Sequence, residues 1–166
     1  MAFSTGFLPD AAPTRAGERL GNSNIIYSES LFESGLFIGR VAQWNDSLGR
    51  LENFRGDLTP IPAGVVLNSQ GYPMGIERIN NTNFDSALPS FVEFLRTGVV
   101  TVAAVPGLTI LEKYEIVFAH NIVDGNEGKI TNVIYTNAKP IGEFIRVIDD
   151  NVLSPVYEVQ MHMRLG

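Results

Sequence analysis

The chain carries two histidines, His120 and His162, and no cysteine, so thiol nucleophiles, thiolate metal sites and disulfides are excluded outright. A serine-type triad or a zinc site would have to be built on one of the two imidazoles. His162 lies in Tyr157-Glu158-Val159-Gln160-Met161-His162-Met163-Arg164-Leu165, on the polar side of a strict alternation. That is an ordinary place for an exposed strand histidine. His120 ends an apolar run just before Asn121 and Asp124, where a turn hydrogen bond is the expectation and a metal ligand is not. Asp124-Gly125-Asn126-Glu127-Gly128 begins like a calcium loop, with oxygens at its first and third positions. The residue that should be a bidentate glutamate is Tyr135, however, so a hairpin turn fits better. The Gly128-Lys129 pair lacks both the spacing and the following Ser or Thr of a phosphate loop. Asp149 and Asp150 are adjacent, so in a strand they face opposite sides and in a turn both face water. No serine stands in a nucleophile elbow. The chain is expected to be no enzyme, with no cofactor and no metal.

The elements that would have to position any site are short and β-rich. At 166 residues the chain fits one domain and can bury roughly 70% of its unfolded surface. Its net charge of −6, with three lysines and nine scattered arginines, argues against a nucleic-acid partner, whose phosphates must be neutralised. The same acidity argues against an anionic membrane, and no apolar run approaches the ~20 residues of a membrane span. The start of the chain lacks a basic region followed by an apolar stretch, so cytosolic synthesis is expected.

From Leu36 onward, apolar runs alternate with glycine, proline, asparagine and aspartate. The candidate strands are 37–44, 64–67, 91–95, 98–105, 115–119, 129–135, 142–148 and 155–165. Turns at Asn45-Asp46, Pro60-Ile61-Pro62, Pro106-Gly107 and Lys139-Pro140 separate them. The fold expected is all-β: a single antiparallel β-barrel or β-sandwich over 36–166, preceded by an extended N-terminal arm over 1–35, with little helix. The best helical stripe, 83–95, is weak and broken by Pro89. The almost wholly apolar 99–105 reads as a strand covered on both faces, either by its own barrel or by another subunit. The arm reads either as a solvated tail or as a docking segment. Its side chains Phe3, Phe7, Leu8, Ile25, Ile26, Tyr27, Leu31 and Phe32 favour docking, since a solvated tail has no use for them. Trp44, at a strand end, suits an interface or a core equally.

The runs Phe37-Ile38-Gly39-Arg40-Val41-Ala42, Ala63-Gly64-Val65-Val66-Leu67, 91–102 with its central Arg96-Thr97-Gly98, and Ile141-Gly142-Glu143-Phe144-Ile145 carry a resemblance. A strand ending in Arg-Thr-Gly leads into a valine-rich strand, then a turn, then a glycine before a closing strand. This resembles the capsid cement, or head decoration, proteins of tailed bacteriophages. The arm and the insertion from Tyr72 to Asn83 have no place in that pattern. The resemblance implies a virion protein, assembled in the host cytoplasm and added to the capsid surface. It implies two partners: the major capsid protein and the chain itself, as a homotrimer ahead of a homodimer. The interface candidates are Phe3, Phe7, Leu8, Ile25, Ile26, Tyr27 and Trp44. A rival reading is a ligand-binding β-domain, such as a carbohydrate-binding or fibre-type receptor-binding module, with Trp44 and Tyr72 stacked on sugar.

Overall fold

The structure is a computed structural model that describes residues 16–55, 61–68, 83–84, 91–108 and 111–163. Its strands are β1 (Arg19–Glu29), β2 (Leu36–Phe37), β3 (Val41–Asn45), β4 (Arg50–Asn53), β5 (Pro62–Val66), β6 (Asn83–Phe84), β7 (Val92–Ala103), β8 (Ile116–Ala119), β9 (Ile130–Thr131), β10 (Pro140–Asp149) and β11 (Val156–His162). No helix occurs among the described residues. The all-β expectation holds. The main antiparallel sheet runs β4-β3-β5-β7-β11-β10-β8-β9, with β1 also on β7, while β2 and β6 form a separate pair. The sheet curls back on itself. The Val41 N–H donates to Gly128 O at 2.7 Å and the Val105 N–H to Ile130 O at 3.1 Å, joining the region around β9 to β3 and to the end of β7.

This curl creates two cores. Inside it lie Val41, Val65, Leu95, Val100, Ile130 and Met161, with further residues of β8, β10 and β11. Outside it, Phe32, Leu36 and Ile38 lie over Ala42, Leu51, Ala63, Val66, Val92 and Phe94. Residues 31–33 are held there by the backbone: Phe32 forms a parallel bridge with Leu51, whose N–H and C=O bond to Leu31 O and the Glu33 N–H.

Four expected elements differ. Segments 91–95 and 98–105 fuse into one strand, β7, because Gly98 takes φ +132° and lets the chain pass through an irregularity without breaking. The side facing the inner core then changes. Val92 and Phe94 belong to the outer core, while Leu95, Val100, Val102 and Ala104 belong to the inner one. The strand expected over 129–135 stops at Thr131, whose Oγ1 accepts the Val133 N–H and starts a turn. The 37–44 segment divides at Gly39 (φ +75°) into the end of β2 and the start of β3. β1 and β4 have sequences too polar to announce strands, Arg19-Leu20-Gly21-Asn22-Ser23-Asn24 and Arg50-Leu51-Glu52-Asn53. Tertiary pairing decides them: β4 lies between β3 and residues 31–33, and β1 runs along β7. The 83–95 stripe contributes strands at its two described ends.

Candidate interaction surface

His120, Asp124, Lys129 and Arg40 bond within one loop, while the buried His120 Nδ1 and Asn121 Oδ1 have no hydrogen-bond partner among the described residues. His120 is buried, and its Nε2 lies 2.9 Å from Asp124 Oδ2. The second Asp124 oxygen accepts the Asn126 N–H, and the His120 ring meets Tyr135 edge-on at 5.5 Å. Burial raises the Asp124 pKa, but the Asn126 amide and His120 outweigh it and hold the carboxyl below its ordinary value. In the same loop, Lys129 donates to Asn126 Oδ1, and Arg40 donates to the carbonyls of Gly125 and Glu127. Burial, and then the Arg40 charge, lower the Lys129 pKa. Burial likewise lowers that of Arg40, which stacks 4.0 Å above the Phe37 ring. The expected turn hydrogen bond at His120 is therefore present, and the Asp124 loop is a hairpin connection between β8 and β9. His162 is exposed on β11, as alternation requires. Among the described residues, no three His, Asp or Glu side chains gather closely enough to hold a metal ion.

Of the interface candidates, Phe3, Phe7 and Leu8 lie outside the described residues. Ile25, Ile26 and Tyr27 come together on β1. Ile25 and Tyr27 are exposed, Ile26 packs against the inner core, and the Tyr27 ring stacks on Phe94 at 5.8 Å. Leu31, also exposed, follows directly. Trp44 is remote from them in the sheet order, half-buried on β3 against the outer core.

Sequence reasoning missed two further apolar displays. One is Val152-Leu153, the tip of the β10–β11 hairpin; the other joins Ile122 and Val123 to Val133 and Ile134. The signal for the first was available, since two large apolar residues interrupt the turn-forming Asp149-Asp150-Asn151 and Ser154-Pro155. The second was hidden, because its halves lie in different loops. The Asn121 Nδ2 donor reaches Thr136 O at 2.9 Å and draws those loops together.

In comparisons with known proteins, no family model and no curated protein sequence matches the chain. A solved structure does. A chain from "The capsid of Myoviridae Phage XM1" is similar over 99% of this chain and 100% of that one, with a TM-score of 0.73 and 22% identity. What the two share at that identity is the fold.

Proposed function

We propose that the chain is a structural, non-enzymatic virion protein that binds the outer surface of an assembled phage capsid and bridges neighbouring major capsid subunits. The observation that carries this is the full-length likeness to a chain of a phage capsid. The residues with catalytic potential support it, since His120, Asp124 and Lys129 serve a loop. The arm proposed over 1–35 is anchored in the sheet where β1 pairs with β7. Its exposed Ile25 and Tyr27, with Phe3, Phe7 and Leu8, grip neighbouring polypeptides, and the chain acts as a homotrimer. Binding that is selective for the assembled shell stabilises it by mass action, and several modest contacts per oligomer add through avidity.

The test uses shells of the encoding phage stripped of this chain, with and without it added back. Sedimentation should show the chain bound to shells and absent from free capsid subunits, and decorated shells should melt at higher temperature. Ile25→Ser/Tyr27→Ser should weaken binding about tenfold or more; both side chains are about half exposed and Tyr27 also stacks on Phe94, so circular dichroism of the variant checks that the fold is kept. A chain that leaves shell stability unchanged at saturation would refute the proposal.

A further inference from the structure

The most exposed apolar side chains of the described barrel stand at two opposite ends of one strand. β10 is ten residues long, roughly 30 Å at ~3.3 Å per residue. At its end, Val152 and Leu153 are 78% and 77% exposed. They are not on a loose loop. The Asn151 N–H donates to Asp149 Oδ1, the Leu153 N–H to Asn151 Oδ1, and the Ser154 N–H to Asn151 O. At the start of β10 the partner strand β8 places Phe118 opposite Pro140, so the loops after β8 and before β10 emerge together. There Val123 and Ile134 are 77% and 72% exposed, flanked by Ile122 and Val133. The Asn121–Thr136 bond and the His120–Tyr135 contact fix this end as well.

Single exposed apolar residues are ordinary, but adjacent ones on a locked turn are already ordered for binding, which removes much of the entropy cost of association. The two ends also differ in charge. Asp149 and Asp150 flank the tip, and the Asp150 charge helps raise the Tyr157 pKa, after the effect of burial. At the other end the exposed Lys139 stands in the loop that carries Val133 and Ile134. Around the loop that carries Val123, the charges of Arg40 and Lys129 offset those of Asp124 and Glu127.

We infer that the tip of one copy seats on the paired loops of a second copy, Val152 and Leu153 against Val123 and Ile134, with Asp150 toward Lys139. This deepens the homotrimer proposed above and rests on that reading. The contact joins different surfaces of two identical chains, so it runs head to tail, and the three-fold rotation of the proposed trimer is what closes it into a ring and not a filament.

Native mass spectrometry and sedimentation velocity on the full chain test this. The wild type should be a closed trimer. Val152→Ser/Leu153→Ser and Val123→Ser/Ile134→Ser should each assemble about tenfold or more weakly, with unchanged circular dichroism. Mixing these two variants should give a one-to-one pair and nothing larger, because only one sound tip and one sound loop pair can meet. Asp150→Lys and Lys139→Asp should each weaken assembly, and the two combined in one chain should restore it. An oligomer that survives both serine variants overturns the inference, as does restoration failing in the charge swap. If those variants stay trimeric but lose shell binding, the occupant is the capsid subunit, the inference falls and the capsid reading stands. A wild-type monomer that still binds shells sinks the inference and the trimer together, and leaves the capsid reading intact.

Discussion

Asp124 accepts from the Asn126 amide with one oxygen and lies against His120 with the other. Its folded pKa is below the ordinary value despite the opposing effect of burial. The sign follows from linkage: the stabilisation is complete above the unfolded pKa and is lost as pH falls through the folded one. Below about pH 4 the loop 120–129 should therefore loosen before the barrel does. Amide hydrogen exchange checks this. Protection factors, corrected for the slower intrinsic exchange in acid, should fall at Asn126 and Gly128 on acidification more than at Val100 or Val159, and Asp124→Asn should flatten the response. A uniform fall in protection across the barrel would contradict it. At this scale the sequence was readable where the bond is local, as at His120 and Asp124, four residues apart. It was silent where the partner is remote: Arg40 reaches carbonyls 85 and 87 residues away.

Gly98 shows the same division among the elements. The valine-rich half of β7 was legible from composition, but Arg96-Thr97 read as a gap between a strand ending at Leu95 and one starting at Gly98. The chain continues because glycine accepts φ +132° and because Asn24 of β1 sits where a Cβ would stand. Asn24 Oδ1 also accepts the Val99 N–H at 3.2 Å, so the glycine admits the side chain that pins β1 to β7. Gly98→Ala should cost roughly 2–4 kcal/mol, since it combines backbone strain with a clash. Gly107→Ala is the control: φ is +73° there, but nothing lies within 4 Å of the added carbon, and about 1 kcal/mol is expected. Denaturant titration separates them. Equal losses would show that the Asn24 contact carries no weight.

For the whole molecule, glycine-punctuated apolar runs and a terminal strand of strict alternation announced an all-β domain. They did not announce two cores. The outer core needs Phe32, Leu36 and Ile38 to fold back over β3, β4, β5 and β7, and the apolar pair Leu31-Phe32 and triplet Leu36-Phe37-Ile38, split by Glu33-Ser34-Gly35, show no period that reveals this. The two layers should fail differently. Leu95→Ala, in the inner core and fully buried, should lower global stability by roughly 2–5 kcal/mol. Phe32→Ala should instead expose residues 31–38 to protease while the inner barrel keeps its exchange protection, as expected of a separately opening layer. Simultaneous loss of protection in both layers would show that they form one cooperative unit.

The pairing of Arg19 with Val100, and of Val41 with Gly128, has a consequence for how the chain comes into being. When β1 leaves the ribosome its partner strand has yet to be translated, and the bond that draws β3 toward β9 waits longer still. Folding must close loops of that length before the pairings can reward it, which places the rate in the slow class of non-local β proteins, milliseconds to seconds. Until β7 emerges, β1 lacks its partner, while β3, β4 and β5, whose mutual pairings all lie within 41–66, have theirs already.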